Sequence, residues 1–228
     1  MSELQQWSTG IWIAEAPLRF YGIPFGTRMT VVQMSDGSLL LHSPIPLSPR
    51  LRSQIDSLGR VRHIVSPNKL HHLFLNEALA AYPKARIHAP PGLSKKRPEF
   101  ASAEQLTDIA PVAWEGTLEP LVVQGSRIMQ EVVFLHRASR TLVVADLCEN
   151  FGRHSPPLTR LVARVARMYG HPRMPPDWQF SFRDRAARRA SFERLFEWEF
   201  DRVILAHGAL LDAGAKAVFQ REYAWALA

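Results

Sequence analysis

Between Leu47 and Pro90 the chain alternates helix and strand signals with few residues to spare, and this most narrows the folds open to it. "LSPRLRSQIDSLG" reads as a helix: Ser48 can cap it, Pro49 suits its first turn and Gly59 can end it. Leu51, Ile55 and Leu58 fall on one face of that helix. "RHIVS" is a short strand, "LFLNEALAAYP" a helix stopped by Pro83, and "ARIHAP" another strand. This alternation predicts an α/β layered fold. Upstream, "GIWIAEAP" and "TRMTVVQMSDGSLLLHSP" read as β structure, with Asp36-Gly37 between two apolar runs as a hairpin signal.

The second half repeats the mixture. "LEPLVVQG", "MQEVVFLHR" and "RTLVVADL" are successive strand candidates, the last two joined by a tight Ala138-Ser139 turn. "PPLTRLVARVARMYG" predicts a helix with Leu158, Leu161, Val162 and Val165 on one face. "HPRMPPDWQFSF" reads as an ordered surface connection, followed by an arginine-rich helix, the strand "RVILAHG" and a closing helix, "AGAKAVFQREYAWALA". Neither a repeat nor a linker interrupts the pattern, so a single domain over residues 1–228 is expected.

A chain of 228 residues buries enough surface to fold without a disulfide or a structural metal. Its one cysteine, Cys148, excludes an internal disulfide and fits a reducing compartment; in "VADLC" it reads as a small buried residue rather than a reactive thiol. The first residues, MSELQQWSTG, lack the pattern of a secretory leader, and no apolar run approaches the roughly 20 residues of a membrane span. A cytoplasmic protein with no membrane partner is expected. The net charge of +7 raises nucleic acid as a partner, but the densest basic stretch, "RDRAARRASFERLFEWEF", interleaves acids with arginines, the pattern of a solvated helix face. Nucleophile-elbow, phosphate-loop and dinucleotide-loop motifs are all lacking.

What stands out is "HIVSPNKLHHLFL", where a strand hands over to a helix through two adjacent histidines. On a regular helix such neighbours diverge by about 100°. At an irregular junction both can turn towards one ion. The plainer reading makes His71 and His72 a polar helix start, Asp146 a turn cap and His207 a strand end before Gly208. His63, His88, His154 and His171 read as surface or loop residues.

The stretches "SPNKLHHLFL", "ARIHAPPGLSKKRPE" and "EVVFLHRASRTLVVADLCENF", in this element order, resemble the metallo-β-lactamase-like hydrolases, and more closely an uncharacterised family that looks like a degenerate branch of them. The resemblance implies a four-layer αββα sandwich of two mixed sheets with helices outside. In that superfamily a strand runs into a His-x-His-x-Asp-His loop. Laid on it, Pro67 and Lys69 replace the first two histidines, His71 stands at the aspartate and His72 keeps the last histidine. The mid-chain histidine becomes Ser126, the bridging aspartate is Asp146 and the late histidine is His207. One metal site has then lost its imidazoles, while His71, His72, Asp146 and His207 remain for one divalent transition metal, zinc or iron or manganese.

By the same resemblance, Lys69 falls where the missing ion's ligand would be. It is expected to put its ammonium there and to act beside Asp146 in catalysis. His136 and Glu131 are expected as pocket residues, and His42 as a hydrogen-bonding support beneath the metal loop. The implied function is mononuclear metal-dependent hydrolysis of a small ester, thioester, amide or phosphoester. A metal-free binding or scaffold remnant is the alternative, and RNA processing or nucleic-acid binding a second one.

Overall fold

The computed structural model describes residues 3–228. Its first half contains β1 (Gln5–Ser8), β2 (Ile11–Ala16), a ribbon of β3 (Arg19–Phe20) and β4 (Ile23–Pro24), β5 (Thr27–Gln33) and β6 (Leu39–His42). α1 (Pro49–Leu58), β7 (Val61–Val65), α2 (Leu75–Ala81), β8 (Arg86–Ala89), α3 (Leu93–Lys96) and β9 (Glu104–Gln105) follow. The second half contains β10 (Leu118–Val122), β11 (Val132–His136), β12 (Thr141–Val143), α4 (Pro157–Val165), α5 (Pro176–Ser181), α6 (Arg185–Glu197), β13 (Arg202–Ile204) and α7 (Ala215–Glu222).

β1-β2-β5-β6-β7-β8-β9 form one sheet, antiparallel up to β6 and parallel beyond it. β10-β11-β12-β13 form the second, in which only β12–β13 is parallel. Strand side chains alternate between faces, and here both faces are apolar. Met29, Val31, Leu39 and Leu41 pack with Leu51 and Ile55 of α1 and Leu75 of α2. Val32 and Leu40, from the same two strands, pack instead with Val132, Phe134 and Val143 of the second sheet. Val133 and Leu135, next to them on β11, meet Phe192 and Leu195 of α6 and Phe219 of α7. The result is the expected αββα order of layers. Truncating Phe134, 1 % exposed between the sheets, to Ala would cost about 3–5 kcal/mol.

Several local expectations hold. Ser48 caps α1, its Oγ accepting the Leu51 N–H at 3.2 Å. Gly59 is needed for a reason of distance: a Cβ there would lie 2.5 Å from the carbonyl oxygen of Gly37 in the hairpin turn. In the arginine-rich helix, Arg189 pairs with Glu193 and Arg194 with Asp108, while Arg188 turns inward to the Ala226 carbonyl. Among the described residues no helix is long and apolar enough to cross a membrane.

Other expectations are corrected. α4 does not join the outer layers; it packs on the β3–β4 ribbon, with Thr159 Oγ donating to the Pro24 carbonyl at 2.6 Å. It buries Thr159 against the ribbon and Ala163 among Phe25, Phe151 and Met168, and Leu158, Leu161 and Val165 are left exposed. The proline-rich connection contains a helix of its own, α5. His63 and His88 are buried rather than on the surface: Nδ1 of one meets Nε2 of the other at 2.9 Å, and both rings pack edge-on against Trp114. Cys148 is fully buried, and burial pushes its thiol up, away from reactivity.

Candidate metal centre

The loop after β7 is shaped by one buried side chain. Asn68 Oδ1 accepts the backbone N–H groups of Leu70 at 2.8 Å and His71 at 3.1 Å, an Asx-type turn that sets the direction of His71. The Asn68 amide nitrogen donates to Glu131 Oε2 and to Asp146 Oδ2, both at 2.8 Å. The Pro67 carbonyl accepts the Val132 N–H, tying the loop to β11.

Asp146 follows β12 on a turn built around Glu131. The Glu131 carboxylate, fully buried, accepts N–H groups from Ala145 at 2.7 Å, Asp146 at 2.8 Å and Leu147 at 3.1 Å. His207 lies beyond β13 on a strand end that the buried Arg28 guanidinium holds through the carbonyls of Leu205 and Gly208. Gly208 packs so closely on Asn150 that a Cβ would stand 2.0 Å from the Asn150 carbonyl oxygen.

These three supports bring His71, Asp146 and His207 together. His71 Nε2 is 3.3 Å and His207 Nε2 3.1 Å from Asp146 Oδ1, and one ligand atom from each residue lies within 4.8 Å of the others. The outer nitrogens are engaged elsewhere. His207 Nδ1 donates to the Gly26 carbonyl at 2.7 Å, and His71 Nδ1 meets Ser43 Oγ at 2.5 Å. Both Nε2 atoms are thereby aimed inward. Tetrahedral ligands at about 2.1 Å from a zinc-type ion stand about 3.4 Å apart, close to the spacing of the imidazole nitrogens from Asp146. Two neutral nitrogens and one carboxylate suit zinc, iron or manganese, so this donor set fits the ion that the resemblance implies.

The electrostatics follow the geometry. Burial would raise Asp146, but the two imidazoles hold it well below the usual carboxylate range. Burial would lower His207, but its hydrogen bond to Asp146 and that group's charge raise it to about 9. Glu131 is raised by burial first and by the Asp146 charge second, while the N–H groups around it oppose both.

The remaining expected residues stand elsewhere. His72 is not in the cluster; its Nδ1 faces the Arg97 guanidinium at 2.7 Å. Lys69 does not border Asp146: its ammonium donates to the Arg127 carbonyl at 3.2 Å and to Gln130 Oε1 at 3.3 Å. The polar partner of Asp146 on this side is the Asn68 amide. His136 ends β11 at a second hollow, with Nδ1 on Ser139 Oγ at 2.8 Å. Glu131 lies beneath the site and not in the pocket. His42 makes no supporting hydrogen bond to the loop; its Nε2 is buried without a partner among the described residues, and burial lowers it to about 3. Ser43, the next residue, provides that support from a left-handed backbone position at φ 55°. Ser126 stabilises its own turn through the Ile128 and Met129 N–H groups.

Asn68, Ser43 and Glu149 are the residues that reading the sequence missed. Asn68 carried a usable signal, an Asn just after Pro at a turn. Glu149, pushed up to about 8 by burial, lines a cavity of about 430 Å³ whose wall also includes His71, Asp146 and His207.

Three solved structures place this geometry among known folds. A metallo-β-lactamase from Pontibacter korlensis superposes with a TM-score of 0.62 at 13% identity, covering 96% of this chain and 99% of that one. The metallo-β-lactamase FIM-1 from Pseudomonas aeruginosa, in its mono-zinc form, gives 0.63 at 13% identity over 99% and 94%. The Flv1 flavodiiron core from Synechocystis sp. PCC6803 gives 0.66 at 10% identity over 99% and 61%. No curated protein sequence matches. Residues 9–95 match the family described as Domain of unknown function (DUF4336), and the chain as a whole has the metallo-β-lactamase-like fold.

Proposed function

We propose that the protein is a metal-dependent hydrolase with one metal site, acting on a small ester, thioester, amide or phosphoester. The observation that carries this is the convergence of His71, Asp146 and His207 at the wall of a cavity, with both Nε2 atoms aimed inward. His71, Asp146 and His207 would hold the ion. A divalent ion there supplies Lewis acidity, polarising a carbonyl or phosphoryl oxygen and making water nucleophilic near neutral pH. Gly26 and Ser43 fix the orientation of the two rings, and Asn68 and Glu131 hold Asp146 against them. That FIM-1 is described in a mono-zinc form supports a single ion on this fold.

One observation favours the metal-free binding alternative. Asp146 already accepts from Asn68 on Oδ2 and faces both imidazoles on Oδ1, so its charge is compensated by the chain itself. Elemental analysis separates the two. Protein purified without chelator is expected to carry about one equivalent of a transition metal and to hydrolyse members of an ester, thioester, amide and phosphoester panel. Protein that takes up none of zinc, iron or manganese, each offered in turn, would leave the binding alternative.

A further inference from the structure

Fifteen of the 23 residues that line the cavity are apolar, and the apolar wall begins at the metal cluster itself. The Phe25 ring stands 6.4 Å, centroid to centroid, from His207 and 5.4 Å from Phe151. Val162 on α4, Met168 and Trp178 continue this wall. Behind it, Phe151 and Met168 pack with Ala163 and Phe25 in an apolar cluster of their own, so the wall is built and packed. At the rim, Phe20 and Leu73 line the cavity and are still 44% and 56% exposed. Apolar groups left facing water around a hollow are the signature of a ligand that covers them.

We propose that the cavity recognises an apolar acyl chain, the ligand being a medium-chain acyl ester or thioester and its carboxylate product. The ester head rests on the hydrolytic function proposed above, whereas recognition of the chain rests on the wall alone. The cavity, about 430 Å³, lies towards the small end of the range of about 300–1,000 Å³ typical of ligand sites. Affinity should therefore climb with chain length and then level off. Short polar esters, which leave the wall wet, should be poor ligands.

The test is calorimetric titration of the chelator-treated, metal-free full chain with acetate, hexanoate, octanoate and decanoate. Acetate should show no binding. From hexanoate upward the affinity should rise by about fourfold per methylene, equivalent to about 0.8 kcal/mol each, until the cavity is filled. Val162→Asp, on the half-buried wall, should weaken decanoate at least tenfold. Leu161→Asp adds the same charge to the same helix at a residue 59% exposed and outside the lining, and should leave affinity within twofold. Affinity independent of chain length, or equal effects of the two substitutions, overturns the proposal. Chain-length-dependent binding without hydrolysis by the metal-loaded protein would sink the hydrolase reading and leave this one standing. Hydrolysis with flat binding would do the reverse.

Discussion

Replacing Glu131 with Gln changes one heavy atom in a fully buried side chain and should still cost about as much as a core truncation. The carboxylate receives N–H groups from Ala145, Asp146, Leu147 and the Asn68 amide, and its hydrogen-bond partners are all donors. A glutamine oxygen can keep the Ala145 and Leu147 N–H groups on the Oε1 side. Its NH₂ would then point at the Asp146 N–H and the Asn68 amide, leaving two buried donors unsatisfied. At about 1–3 kcal/mol for each lost acceptor, less the relief of removing a like charge near Asp146, the expected loss is about 2–5 kcal/mol. That is a large part of the roughly 5–15 kcal/mol that holds a domain together. In a chain this long it corresponds to a fall in Tm of about 4–20 °C. Urea denaturation followed by circular dichroism measures it. The midpoint should move with little change in slope, since the same surface is exposed on unfolding. A loss below about 1 kcal/mol would refute the reasoning, because it would mean that Glu131 does not hold the turn carrying Asp146.

Three further outcomes are expected. His207→Ala and Asp146→Asn should abolish metal uptake, whereas His72→Ala should retain it within a few-fold by elemental analysis, because His72 faces Arg97 and not the cluster. Ser43→Ala should lower metal affinity by about 10–100-fold through loss of the contact to His71 Nδ1, as read by competition with a chromogenic chelator. Burial lowers His88 to about 3 against about 6.5 in the unfolded chain, so between those values the unfolded state binds the extra proton. Its contribution should be complete above pH 6.5 and fall by up to about 1.4 kcal/mol per pH unit on acidification, and His88→Gln should flatten that slope in denaturation curves taken from pH 7 to pH 4.

Local chemistry made the elements legible. Ser48-Pro49, the Asp36-Gly37 turn and the short apolar runs of β5, β6 and β11 each act within a few residues, so a linear reading finds them. Asp146 and His207 were legible only through the resemblance, since by themselves they read as a turn cap and a strand end. The choice between His71 and His72 was not. Adjacent residues in a loop have no fixed period, and what aims His71 inward is a set of long-range bonds: Asn68 to Glu131 and Asp146, and Ser43 to the ring. Lys69 was expected beside Asp146 from the resemblance and its charge, yet a neutral amide one residue earlier reaches that carboxylate, because the turn sends the lysine stem to Arg127 and Gln130. α4 went wrong for a related reason. Its periodicity identifies an apolar stripe but not which surface buries a face: Thr159 meets the β3–β4 ribbon and Ala163 packs among Phe25, Phe151 and Met168. Sequence alone thus determined most of the longer elements and their order, while short ones such as α5 and the β3–β4 ribbon went unread. Tertiary contacts decided where side chains point at the junctions between them, because direction in a loop is set by partners 28 to 78 residues away.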